Sequence, residues 1–415
     1  MAPAQLEPTQ QDHIDRWSRR VRVALISIAE TLPGGDDDQR RGMLRFAGRS
    51  LAAHQIGVAL AMHCDRIVCL TQGIPPGHLE LQQASEAGGA QFHLVGSVAQ
   101  LSGLVRAADE LLVFAEGVLL PKGAVLEALD ARSGVLAVAG DKGVSLGFER
   151  LDPHMAWAGV LRSTGSAVER LTKLPSDIEP IAALLRICLQ SGARLVPLPD
   201  SLLDDGTLAI FESEAQVLRA QDGWLRRSIE LRSWAAPGLA LADRIVARCA
   251  ARLLGIDPQG WRAAIVTMTL AALAMAISAF AGPALGYAML VFAAFASVIS
   301  ARLDALSNAD GPRQRVGPAR LARWAVNAAI IGIPLVAALP EISGDAAFSL
   351  AAMVAVLTLA GRLATSPKLA IFGDRIALTI ILAAMSAAGL LIPTVQLLTL
   401  GVLVSALVIQ RRTQR

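Results

Sequence analysis

After Ala263 the chain carries runs of apolar residues long enough to cross a lipid bilayer, and nothing else in it constrains the fold as strongly. A spanning helix needs ~20 mostly apolar residues, set by the thickness of the hydrocarbon core. Six stretches can be read, roughly Ala263–Gly282, Ala284–Ala301, Leu321–Leu339, Ala346–Ala364, Ile376–Ile392 and Val395–Ile409. Charges cluster between these stretches. Gly282-Pro283 splits the first pair and Pro393 the last, and both breaks suit tight hairpins between antiparallel helices. The stretches are rich in Ala and Gly, which lets helix backbones approach closely and predicts a compact bundle.

The basic residues orient that bundle. Arg244, Arg248, Arg252 and Arg262 precede the first stretch, and Arg302, Arg313, Arg315 and Arg320 lie between the second and third. Arg362, Lys368 and Arg375 lie around the fourth loop, and Arg411, Arg412 and Arg415 end the chain. The alternate loops carry no Lys or Arg. The positive-inside rule then places both termini and the two longer loops in the cytoplasm. An even count satisfies that pattern, so charge and hydropathy agree on a six-helix transmembrane bundle over 263–410, in the cytoplasmic membrane.

Just before the bundle, Leu239–Leu254 reads as an amphipathic interfacial helix. Arg244, Arg248 and Arg252 recur every four residues and share one face. Ile245, Val246, Cys249 and Leu253 fall on another. A basic face beside an apolar one suits anionic lipid headgroups at a membrane surface.

The first half reads differently. Met1–Arg20 is polar and has no apolar core of a secretory signal. Over 21–235 short apolar runs alternate with helical patterns. Val21–Ile28, Arg66–Leu70, Glu110–Phe114, Val135–Ala139 and Arg194–Pro197 read as strands. Ser50–His63, Gly123–Ala131 and Ile178–Ser191 read as helices. Such alternation predicts an α/β domain with a mainly parallel sheet, whose ligands bind at the carboxyl ends of the strands. The first such end is AETLPGGDDDQRR, residues 29–41. Gly34 and Gly35 would let backbone N–H groups approach a phosphate, but Asp36, Asp37 and Asp38 would repel one unless a metal intervened. Two readings stay open there: a solvated loop or a metal-assisted site.

Some classes are excluded. A formal net charge of +3 argues against a nucleic-acid partner. The four cysteines lack metal-type spacing and are too sparse for a disulfide framework, so free thiols in a reducing compartment are expected. The six histidines form no known ligand motif.

The order of these parts resembles fused enzymes that join a sugar-nucleotide-type nucleotidyltransferase to a CDP-alcohol phosphotransferase. That resemblance implies six transmembrane helices behind an interfacial helix, with a site at the cytoplasmic end of the second and third. The second family's motif is D-x-x-D-G-x-x-A-R, eight residues, then G-x-x-x-D-x-x-x-D. Ala301-Arg302 stands at its A-R, and Gly311 follows after eight residues. The four aspartate positions fall on Ala294, Ser297, Arg315 and Ala319; taking Gly317 as the glycine puts Leu321 and Ala325 at the last two. The metal-binding carboxylates are therefore missing, and Asp304 and Asp310 are the only acids nearby. In the first half, GRSLAAHQIGVALAMHCDRIVCL resembles the nucleotidyltransferase's second helix and strand. The expected G-x-G-x-R signature is absent after the first strand. ELLVFAEGVLL resembles the strand ending in a metal-binding aspartate, with Glu116 in its place.

Three readings of function follow. The first is a degenerate relative acting in membrane lipid biosynthesis as a binding or scaffold protein, without cofactor. Its partners would be membrane lipids, a second copy, or an active lipid-synthesis enzyme. The second is an active phosphotransferase with a rearranged site. It would use Asp304 and Asp310 as catalytic acids, Arg302, Gly311 and Arg315 against the substrate, and Mg2+ or Mn2+. The third is a transporter, against which the near absence of intramembrane charge counts.

Overall fold

The computed structural model describes residues 20–32, 39–129, 133–175, 177–228, 232–256, 260–307, 317–338, 352, 373–398 and 400–401. The chain divides near Trp224 into two compact units.

The first unit is built on a seven-stranded sheet. Its strands are β1 (Arg22–Ser27), β2 (Arg66–Leu70), β3 (Gln91–Val95), β4 (Glu110–Phe114), β5 (Gly134–Ala139), β6 (Met155–Thr164) and β7 (Leu195–Pro197). They lie in the order β7-β5-β6-β4-β1-β2-β3. All neighbours are parallel except β6, which runs antiparallel to both β4 and β5. The expected mainly parallel α/β domain is thus present. The central strands are buried on both faces, which is why they read as continuous apolar runs.

Helices cover the sheet. In α1 (Leu51–Ala61) the Ser50 side chain accepts from the Ala53 N–H, the N-cap expected of a serine at that position. α1 packs on one face with Ile26, Ile67 and Phe114. α2 (Pro180–Gln190) packs on the other with Leu25, Val113 and Leu161. Sequence reading missed β3 and β6. The segment MAWAGVLRST of β6 is thin in β-branched residues and has Gly159 at its centre, so only its neighbours in the sheet reveal it.

The second unit is helical: α3 (Pro237–Ile256), α4 (Trp261–Ala281), α5 (Pro283–Ser307), α6 (Pro318–Ala338) and α7 (Arg375–Ala387). Three of these contain stretches long and apolar enough to cross a membrane: Trp261–Ala281, Pro283–Leu306 and Pro318–Val336. The Gly282-Pro283 break is a tight turn, with Gly282 at φ +90° and Pro283 opening α5. A Cβ on Gly286 would lie 2.9 Å from the Ala274 carbonyl, so this glycine sets how closely α4 and α5 pack.

α7 is 13 residues long, and the chain turns at 388–390 before a helical stretch over 391–398. The break expected at Pro393 therefore falls earlier, at the turn containing Gly389. Pro393 sits in the first turn of the next helix, where its missing N–H costs nothing. The stretch Ala346–Ala364, apart from Ala352, and most of Val395–Ile409 lie outside the described residues.

Pro334 lies inside α6 and cannot donate to the carbonyl four residues before it, that of Ile330. The Tyr287 hydroxyl donates to that carbonyl instead, at 3.0 Å. Tyr287 is the chain's one tyrosine and is fully buried. A phenol in an apolar core is thus explained by the orphan acceptor that a proline made.

Candidate functional site

In the α/β unit the chemistry gathers at the carboxyl ends of β1 and β4. Glu116 lies two residues beyond β4 and is 6% exposed. Its Oε2 accepts from the Ser27 hydroxyl at 2.8 Å and from the backbone N–H of Ala29 and Glu30 at 3.0 and 3.1 Å. Its Oε1 accepts from the Gly42 N–H at 3.1 Å. Four donors hold the carboxylate, three on Oε2 and one on Oε1. Glu116 therefore pins the segment after β1 to the end of β4. Burial pushes its carboxyl above the ordinary value, more than these donors pull it down.

Beside Glu116 is a cavity of about 200 Å³. Glu30, Glu149, Glu179 and Glu212 line it with Glu116, against a single guanidinium, that of Arg41. Arg41 is already engaged: it pairs with Glu30 at 2.7 Å and donates to the Phe211 carbonyl at 2.7 Å. Glu179 caps α2, accepting from the N–H groups of Ile181 and Ala182. Burial pushes the Glu149 carboxyl up, and nearby Glu179 adds to this while Arg186 opposes it. Gly34 and Gly35 lie outside the described residues.

In the helical unit the charges meet at one end. Asp243 of α3 is fully buried and holds Arg302 of α5 by two bonds, at 2.7 Å to Nε and 2.5 Å to Nη2. Arg232 approaches the same carboxylate, with its N–H at 3.3 Å and its Nε at 3.8 Å. Burial, with neighbouring Arg302, pulls the Arg232 guanidinium below its usual value. Asp374, also fully buried, caps α7 through the N–H groups of Ile376 and Ala377, both at 3.1 Å. Its other oxygen accepts from the first turn of α3, Gly238 at 2.7 Å and Leu239 at 3.1 Å. One carboxylate thus caps two helices, where the exposed N–H groups and the helix dipole favour negative charge.

These bonds change the reading of α3. Ala242, Asp243, Val246, Ala250 and Leu254 form a buried face. Arg248 and Arg252 are exposed and Arg244 half-buried, with Leu241 and Ile245 exposed beside them. The Arg244 guanidinium lies 4.1 Å over the Trp234 ring. The helix is amphipathic, and Val246, expected on its membrane face, packs inward. Asp304 lies near Gly317, where a Cβ would stand 3.4 Å from its Oδ2. Asp310, Gly311 and Arg315 lie outside the described residues.

Among the described residues no three His, Cys, Asp or Glu side chains are grouped so as to hold a metal ion. Sequence reading missed Asp243, Asp374, Glu149, Glu179 and Glu212. A lone aspartate on the apolar face of an otherwise amphipathic helix was the one available signal, for Asp243.

The sequence matches no protein-family model and no curated protein. Among solved structures, it is similar over 51% of its length to a chain assigned as a glucose-1-phosphate thymidylyltransferase from Bacillus anthracis, at 13% identity, covering 98% of that chain with a TM-score of 0.39. A UDP-glucose pyrophosphorylase from Acinetobacter baumannii is similar over 51% of this chain and 95% of its own, at 12% identity and a TM-score of 0.37.

Proposed function

We propose that this is a multi-pass protein of the cytoplasmic membrane, with six spans and both termini inside, that serves membrane lipid biosynthesis as a binding or scaffold protein. It combines a nucleotidyltransferase-like domain with a CDP-alcohol-phosphotransferase-like helical domain. The observation that carries the reading is the engagement of Glu116 by its own chain. A divalent cation of this class binds through carboxylate oxygens with lone pairs to give. Glu116 Oε2 is taken up by Ser27, Ala29 and Glu30, and its Oε1 also accepts from Gly42. In the helical unit, Ala294 and Ser297 stand where the resemblance expects aspartates, and Asp243 occupies the Arg302 guanidinium. In the helical unit the described residues therefore lack the carboxylates that the resemblance implies.

An active site around Asp304 is the second reading. What favours it is the closeness of Asp304 to Gly317, which brings it to the border of the segment holding Asp310, Gly311 and Arg315. Calorimetry on the purified full chain separates the two. The scaffold reading expects no saturable heat from CDP or CTP with Mg2+ or Mn2+. Micromolar metal-dependent binding, abolished by Asp304→Ala, establishes the active one.

A further inference from the structure

At the end of the helical unit where Asp243 meets Arg302, charge is sorted by depth. The starts of α4 and α6 reach the end of α5 here: the Ser300 hydroxyl donates to the Gly260 carbonyl at 2.8 Å, and Gly317 lies against Asp304. The acids are turned inward, Asp243 and Asp374 fully buried and Asp304 half-buried. The bases are turned outward. Arg248 and Arg252 on α3, Arg262 on α4, and Arg320 and Arg323 on α6 are all exposed. Among the described residues of this unit no acid is exposed.

Tryptophans stand among these arginines. Trp234, Trp261 and Trp324 are 61%, 36% and 49% exposed. Two of the rings carry a guanidinium, Arg244 at 4.1 Å over Trp234 and Arg320 at 4.8 Å over Trp324. Trp261 opens α4, and within two turns that helix exposes Ile265, Val266 and Met268. The basic and aromatic collar thus borders the apolar face of a helix long enough to cross a bilayer. The other end of α4 and α5 is built differently. Phe280 and Leu285 are exposed there, and residues 276–290 carry no charge. Indole rings, with an apolar body and a polar N–H, collect at the level of lipid headgroups. Basic residues at that level draw anionic lipids towards them. A water-soluble polyanion would account for the arginines, but not for exposed tryptophans at the border of an apolar face.

We infer that this collar is a binding surface for anionic phospholipid in the leaflet where α4 and α6 begin, with the exposed arginines as counter-charges and the tryptophan rings setting the depth of the headgroups. The inference rests on the reading that α4, α5 and α6 cross the bilayer, and it adds the class of lipid that surrounds them at one end. It does not depend on a role in lipid biosynthesis. Within the collar, α3 is held to the bundle by Asp243 and Val246, which leaves Arg248 and Arg252 on its exposed side.

Full-length protein is reconstituted into phosphatidylcholine vesicles that carry a trace of nitroxide-labelled phosphatidylglycerol or nitroxide-labelled phosphatidylcholine. Electron spin resonance then reads the fraction of each label immobilised against the protein. The expected result is a preference of about fivefold for phosphatidylglycerol, the order for a headgroup facing one interfacial arginine. That preference falls in about 1 M salt, where charges are screened over a few ångströms. A variant combining Arg248→Gln, Arg252→Gln, Arg262→Gln and Arg323→Gln brings the ratio to about one, while the corresponding lysine variant keeps it. Thermal unfolding of both variants stays within a few degrees of the parent, since the replaced side chains are exposed. Equal immobilised fractions of the two lipids in the parent overturn the inference and leave the arginines to a water-soluble polyanion. A preference that survives the glutamine substitutions overturns it as well. Protein that does not enter the vesicles at all removes the spans themselves, and the lipid surface with them. CDP binding with metal bears on the proposed biosynthetic role alone and leaves this test intact.

Discussion

Each unit contains a buried carboxylate with four donors, and the comparison between Glu116 and Asp374 shows what such a group can do. Glu116 gathers a hydroxyl from the last residue of β1 and three N–H groups from the segment that follows it, at the carboxyl end of the sheet. Asp374 gathers four N–H groups, all from the first turns of two helices. Loops can turn their freed N–H groups to water. Helix ends held within a bundle cannot, because the groups point into the packed interior. The same coordination number thus makes a loop fastener in one unit and a joint between helices in the other.

The largest effect is expected at Asp374. Replacing it by alanine removes the caps of α3 and α7 together, at about 3 kcal/mol by the usual worth of an N-cap. In detergent the protein should unfold at a markedly lower temperature, and the segment 232–238 should become open to limited proteolysis. Asp374→Asn keeps one acceptor and should fall between. If cleavage in that segment is unchanged in Asp374→Ala, the joint is held by packing and the contrast with Glu116 fails.

Glu116→Ala should cost less, about 2 kcal/mol, the order of a buried hydrogen-bonded group lost where water can replace it. Its pH dependence sharpens the point. Burial holds the Glu116 carboxyl above its ordinary value, so the folded protein binds that proton more tightly than the unfolded chain. This contribution is complete below the unfolded pKa and is lost as pH rises through the raised folded one. Glu116→Gln mimics the protonated group and should flatten stability against pH over that window, read by denaturant unfolding. A curve as steep as the parent's would assign the pH dependence to other carboxylates.

The smallest effect concerns Tyr287. Tyr287→Phe should destabilise the helical unit by about 1 kcal/mol, in the range of interhelical hydrogen bonds within membranes. In a Pro334→Ala background the Ile330 carbonyl regains a partner along its own helix, and the same substitution should then cost measurably less. Equal costs in both backgrounds would show that the hydroxyl does not serve the proline.

Most of the elements were legible in the sequence, β3 and β6 excepted. Each of Trp261–Ala281, Pro283–Leu306 and Pro318–Val336 declared itself through a local sum of hydropathy, and β1, β2, β4 and β5 through short runs of buried residues. Such signals survive because bilayer thickness and a strand buried on both faces constrain neighbours in sequence. Gly282-Pro283 located its turn for the same reason, since a positive φ and a missing donor are properties of single residues.

The partners of the buried carboxylates were not legible there, because they come from distant parts of the chain. Asp243 meets Arg302 across 59 positions, Asp374 meets Gly238 across 136, and Glu116 meets Ser27 across 89. An aspartate or glutamate looks the same in sequence whether it is solvated, caps a helix or faces a cavity. What separates these fates is which donors the fold brings within 3 Å of it, and how much water the packing leaves there.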